Sequence, residues 1–131
     1  MSIHAPEFAK LAAFLGAIPA IASRRPSGVL GSGRTDDGKW WVKLMIDLHH
    51  PLAWSTVQEF GYVLNYLSLL EPLPTVFKPV SPPPYLNGGP EFLSWVIESS
   101  VPDFSPDMAA DWLKGRMPDP IGDPAAWPLY Q

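Results

Sequence analysis

Between Lys39 and Pro51, apolar and other residues alternate with a period of two across ten positions. This is the pattern of a strand that buries one face. Trp40, Val42, Leu44, Ile46 and Leu48 make an all-apolar side, and Trp41, Lys43, Met45, Asp47 and His49 a mixed one. Asp36-Asp37-Gly38 precedes the strand as a three-residue hairpin loop, with Gly38 supplying the positive φ. Gly28 to Thr35 is therefore expected to be its antiparallel partner. Gly31 and Gly33 then fall opposite Trp40 to Lys43, where their small size leaves room for an indole ring.

Helical spacing governs most of the remainder. Phe8, Leu11, Ala12 and Leu15 predict a helix over Pro6 to Gly16, opened by Pro6 and Glu7 and stopped by Gly16. Pro19 predicts irregular chain from Ile18 to Ser23, and Arg24-Arg25-Pro26 a solvated turn. Pro51 to Glu71 is the best helical pattern, with Val57, Phe60, Gly61, Leu64 and Leu67 on one face. Ser55 and Gln58 have capping-box spacing, and Gly61 is expected to let the helix approach the sheet closely. Thr75 to Val80 predicts a short third strand that Pro79 confines to an edge or an end.

The second half is richer in proline. Ser81 to Tyr85 is expected to be polyproline II, Asn87-Gly88-Gly89 a turn, and Pro90 to about Ser100 a helix carrying Phe92, Leu93, Val96 and Ile97. Ser105 then caps a helix that Gly115 stops, with Met108, Trp112 and Leu113 inward and Asp107 and Asp111 outward. The tail from Arg116 to Gln131 has four prolines and no periodicity. Trp127, Leu129 and Tyr130 predict that it packs back as an extended strap. The expected class is α+β in one domain over 1–131: a small three-stranded sheet (the hairpin plus one further strand) packed against several helices.

Composition narrows the function classes. The 131 residues are 47% apolar and 17% charged, and 17 of them are proline, a globular composition with stiff loops. There is no cysteine, which removes disulfides, thiolate nucleophiles and cysteine metal sites. Net charge is −4, unevenly spread: residues 1–50 hold six Lys/Arg against four Asp/Glu, and residues 51–131 three against nine. That balance opposes nucleic-acid binding, which depends on neutralising phosphates. It suits a basic protein partner. No apolar run is long enough for a membrane span. Leu11 to Ala22 has the look of a signal-peptide core, but the region before it is not basic, since Glu7 offsets Lys10. The segment is read as a structural helix and the protein as cytoplasmic.

Candidate chemistry is sparse. Asp47, His49 and His50 form the one dense polar cluster, with Asp47 and His49 about 7 Å apart on one strand face. A metal site needs three or four ligands, and only two are local, so neither metal nor cofactor is assigned. The bland reading makes these residues a cap on the strand end, with Asp47 orienting an imidazole. No G-x-S-x-G elbow and no carboxylate pair in a cleft context is present, so no catalytic residue is assigned. Gly31-Ser32-Gly33 lacks the lysine and following helix of a phosphate loop. Pro82-Pro83-Pro84-Tyr85 matches a short WW-domain ligand, a signal of only four residues.

The stronger interaction signal combines six tryptophans, stiff loops and the acidic surplus. Trp40 and Trp112 are expected in the core, while Trp41, Trp54, Trp95 and Trp127 are candidates for partial exposure. The partner-binding residues suggested are Asp103, Asp107, Asp111, Asp119 and Asp123 with Trp95 and Trp127. In its overall build, including the KWWVKLMIDL strand and that aspartate series, the chain resembles the small acidic α+β immunity proteins of bacterial polymorphic toxin systems. The resemblance implies inhibition of a basic toxin or enzyme without catalysis, and it transfers no functional residue. Two alternatives are a small-molecule-binding or hydrolytic enzyme built on Asp47, His49 and His50, and an assembly or phage-structural subunit.

Overall fold

A computed structural model describes residues 5–22, 28–66, 75–80 and 92–127. The alternating stretch is strand β2 (Trp40–Asp47), and β1 (Val29–Arg34) pairs with it antiparallel, Gly33 opposite Trp41 and Gly31 opposite Lys43. Gly38 turns the hairpin at φ 83°. Thr35 closes the turn, its backbone N–H donating to Lys39 O at 2.8 Å and its hydroxyl to the Asp37 carboxylate. That bond lowers the Asp37 pKa, and Lys39 adds to the effect.

The glycines of β1 make room for an indole, as the pattern implied. A Cβ at Gly33 would lie 2.8 Å from Cζ2 of Trp41. Gly33→Ala is therefore expected to destabilise the wild-type protein by about 1 kcal/mol, the low end of the overpacking range, because the half-buried ring can slide. In a Trp41→Ala background the same change should stabilise by about 0.5–1 kcal/mol, since glycine is costly in a strand. Urea denaturation of the four proteins measures that reversal of sign.

The sheet has four described strands in the order β1-β2-β4-β3, all antiparallel. The fourth strand corrects the expected helix over Pro90 to Ser100. Phe92–Ser99 is β4, and it lies between β2 and β3 (Thr75–Pro79). The reason is burial on both faces: Ser94, Trp95, Val96 and Ile97 are all 8% exposed or less. A strand of this kind shows an unbroken apolar run that short-range periodicity does not separate from a helix. The third strand sits at an edge, as Pro79 required.

Helices cover one face. A 3-10 turn (Pro6–Phe8) leads into α1 (Ala9–Gly16), and α2 (Pro19–Ala22) follows. Pro19 starts α2 instead of leaving irregular chain, because proline fits a first helical position. Next comes α3 (Ala53–Phe60), which continues as a π-helical segment (Gly61–Tyr66). The expected capping box does not form: the N-cap is Leu52, and Ser55 is buried within the helix. Helix α4 (Pro106–Lys114) starts at Ser105, whose Oγ accepts the Met108 N–H at 3.1 Å, and ends at Gly115, as expected.

Each of these helices contributes to one apolar cluster with Trp40, Val42, Leu44, Ile46, Phe77, Trp95 and Ile97 of the sheet. Phe77 is the hub of an aromatic row, 5.0 Å from Phe60 and stacked 4.8 Å from Trp95. Trp127 joins the same cluster, its Nε1 donating to Ile121 O at 3.0 Å. The N-terminal helix and the tail therefore pack on the all-apolar side of β2. On its mixed side Met45 is nevertheless buried, Trp41, Lys43 and Asp47 are half-buried and His49 is exposed. The tail is a chain of turns with a 3-10 turn at Pro124–Ala126. The expectations for Ser81 to Tyr85, Asn87 to Gly89 and Arg24 to Pro26 lie outside the described residues.

Candidate functional site

Asp47, His49 and His50 close the end of β2 as a local turn. The Asp47 carboxylate accepts the backbone N–H of His49 at 3.0 Å, and Asp47 O accepts that of His50 at 2.9 Å. Nδ1 of His50 accepts the N–H of Leu52 at 3.0 Å, one of the donors that a helix start leaves without an intrahelical partner. The geometry is that of a strand-end cap, in which the Asp47 carboxylate and the His50 ring each hold a backbone N–H. Among the described residues no group of three or more His, Asp or Glu is placed to hold a metal ion. Removing the His50 ring is expected to cost about 0.5–1.5 kcal/mol, the worth of one hydrogen bond, measured on His50→Ala by urea denaturation.

The aspartates fall into three settings. Asp103 lies two residues before the α4 cap, and Asp107 and Asp111 are one turn apart on its outward side; all three are exposed. Negative charge at Asp103 and Asp107 also suits the positive end of the helix dipole. Between Asp107 and Asp111 stands Met108, 51% exposed and not inward as expected, because Ala109, Ala110 and Leu113 take the buried side. Asp111 pairs with Lys10 of α1 at 2.6 Å, which raises the lysine pKa. Both partners are exposed, so the pair is readily exchanged.

Asp119 borders a cavity of about 290 Å³ that Lys10, Phe14, Lys114 and Ile121 also line. Its walls come from α1, α4 and the tail, so no short stretch of sequence announces it. Asp123 is committed to the fold: its carboxylate accepts Ala125 N–H at 3.0 Å and caps the terminal 3-10 turn.

The two tryptophans proposed with the aspartates are not at the surface. Trp95 is 8% and Trp127 6% exposed, which corrects the expectation of partial exposure. Trp95 is drawn in by its stack on Phe77, and its Nε1 is buried with no hydrogen-bond partner among the described residues. Trp112 is half-buried at the flank of α4, with the Arg116 guanidinium 3.4 Å from its ring centroid. Trp54 is 53% exposed and Trp41 is half-buried, so these two do show the expected partial exposure.

Around the 3-10 turn at the N-terminus, Arg34 donates two hydrogen bonds of 2.9 Å to Glu7, which hold the Glu7 pKa below its ordinary value. This ties the first helical turn to the hairpin. No helix among the described residues is long and apolar enough to cross a membrane. Comparison with protein-family models, with curated proteins and with solved structures returns no match.

Proposed function

We propose that this is a non-enzymatic protein-binding domain that engages a basic protein partner through the outward face of α4, in the manner of an inhibitor or immunity protein. The observation that carries the reading is the exposed strip of Asp103, Asp107 and Asp111 around Met108. Carboxylates on a surface helix steer a cationic partner into register, and an exposed methionine adapts its shape to the surface it meets. The Lys10 ammonium already beside Asp111 marks where a partner's cation would be received. Asp119 stands on the cavity wall with Lys10 and Lys114 and Asp123 belongs to the fold, so both are left out of the site. A membrane or nucleic-acid target suits this face poorly, since both carry negative charge.

The test uses two affinity columns, one of the wild-type protein and one of the Asp103→Asn/Asp107→Asn/Asp111→Asn variant, loaded with lysate of the native host. A basic protein held by the first column and depleted from the second is the expected result. The same proteins on both columns would remove this face from consideration. The variant should keep its far-UV circular dichroism, because the three side chains are exposed.

A further inference from the structure

The cavity of about 290 Å³ has walls from three parts of the chain that meet only in the fold. Helix α1 contributes Lys10 and Phe14, α4 contributes Ala110 and Lys114, and the tail contributes Asp119 and Ile121. Each wall is fixed from behind. Leu11 and Leu15 anchor α1, Ala109 and Leu113 anchor α4, and Met117 and Trp127 anchor the tail on either side of the cavity residues; all six are 6% exposed or less. Within the tail, Asp123 N–H donates to Pro120 O at 3.1 Å, and the Trp127 indole holds Ile121 O. A Cβ on Gly122 would lie 3.3 Å from Ala17 O, so the tail also runs close against the end of α1. The cavity is thus held in shape by the fold, which lowers the cost of ordering the backbone around anything that enters it.

An apolar lining with a few polar groups converging on it is the chemistry of a small-molecule pocket. Phe14 and Ile121 are half-buried and supply the apolar surface. The three charged side chains around it are not equivalent. The Lys10 ammonium is taken by Asp111 at 2.6 Å, and Asp107 attracts it as well. Lys114 and Asp119 enter none of the ion pairs among the described residues, whose cations are Lys10, Arg34, Lys39 and Lys78. One cation and one anion of the wall are therefore left for an entering molecule. A simple anion would meet the Asp119 carboxylate and a simple cation the Lys114 ammonium, whereas a molecule with both charges satisfies both. Size adds a limit: a cavity of roughly 150 Å³ holds one benzene, so this one takes such a ring together with a charged group of similar bulk. We infer that the cavity binds a free α-amino acid with an aromatic side chain, its carboxylate towards Lys114, its ammonium towards Asp119 and its ring on Phe14 and Ile121. The two charges of an amino acid lie close together, and the flexible lysine stem can bring its ammonium to them. The inference does not rest on the proposed basic partner, whose site is the outward strip of α4.

Titration of the full chain with L-phenylalanine, followed by NMR on the backbone amides of Phe14, Ala110 and Ile121, tests it. Saturable shifts at these residues are expected, with a dissociation constant on the order of 1 mM or tighter, a range open to a ligand of this size. N-acetyl-L-phenylalanine lacks the ammonium and L-phenylalaninamide lacks the carboxylate, and each should bind about five- to tenfold more weakly. Lys114→Gln should weaken L-phenylalanine by a similar factor and leave the amide unchanged. Asp119→Asn should weaken L-phenylalanine and leave the N-acetyl compound unchanged. Both side chains are exposed, so both variants should keep the wild-type spectrum away from the cavity. The absence of saturable shifts at the three residues overturns the inference. So does an analogue that binds as well as L-phenylalanine, or a substitution that weakens all three compounds alike.

Discussion

Trp40→Ala is expected to cost about 3–5 kcal/mol, a large part of the 5–15 kcal/mol that holds a typical domain together. Trp40 is 1% exposed and lies edge-on to Phe8 at 6.3 Å. Its Nε1 donates to Phe104 O at 2.5 Å, and its backbone N–H donates to Ser99 Oγ at 2.9 Å. One residue thus joins the N-terminal turn, the central strands and the entry to α4. Alanine leaves a cavity and strips Phe104 O of its donor. Trp40→Phe separates the two effects, because it keeps most of the volume and loses only the indole N–H. Its expected cost is nearer 1–2 kcal/mol. Urea titrations followed by circular dichroism measure both. A Trp40→Ala protein with a wild-type midpoint would contradict this account of the core.

The second large effect belongs to Asn65, in the π-helical segment after α3. Its Nδ2 donates to Phe77 O at 2.7 Å, and its Oδ1 accepts Phe77 N–H at 2.8 Å. The amide thus does for one residue of the edge strand what a further strand would do. Antiparallel pairing uses alternate residues of β3 towards β4, so the Phe77 groups point to the free edge, where unpaired groups invite another chain. Phe77 is 4% exposed, and water is a poor substitute for the amide. Asn65→Ala should cost about 2–4 kcal/mol, from one buried donor and one buried acceptor left without partners. Asn65→Asp should cost a similar amount at neutral pH, because a carboxylate turns an acceptor towards the Phe77 carbonyl. Its protonated form can donate instead, so the folded-state pKa of the new group lies above its unfolded value. The stability of that variant is then greatest at acid pH and falls as pH rises through the folded pKa. Denaturation midpoints of the variant across pH 3–8, roughly the carboxylate and neutral range, provide the check.

These two residues show unequal legibility. Trp40 could be read directly, since the alternation from Lys39 onward states which side of β2 is buried and the Gly-bearing partner strand states where Trp41 goes. The hairpin loop, the Ser105 cap and the edge position forced by Pro79 were legible for the same reason: each depends on a few adjacent residues. Asn65 was not, because its partner is twelve residues away and the bond serves a sheet edge that exists only after folding. The fourth strand is hidden by its own burial, although eight residues between the Gly-Gly-Pro sequence at 88–90 and Pro102, with Phe92, Trp95, Val96 and Ile97 among them, favour a strand on length and side-chain type. At the candidate site, the exposure of Asp107 and Asp111 follows from helical spacing, but the pattern points Met108 inward because Ala109 and Ala110 carry little apolar weight. Both are nevertheless buried and belong to the apolar cluster. The burial of Trp95 and Trp127 is not legible for a related reason: aromatic type says little about exposure when the neighbours are unknown.

The proposed function turns on charge, and its direct measure is a rate. The basic protein retained by the wild-type column would be passed over the immobilised domain at low and physiological ionic strength, and its association rate constant recorded. Steering by the Asp103, Asp107 and Asp111 strip predicts a rate that falls steeply as salt shortens the screening length to about 8 Å, and a variant with all three as asparagine whose rate is slower and nearly independent of salt. An association rate equal for the two proteins and insensitive to salt would contradict the account.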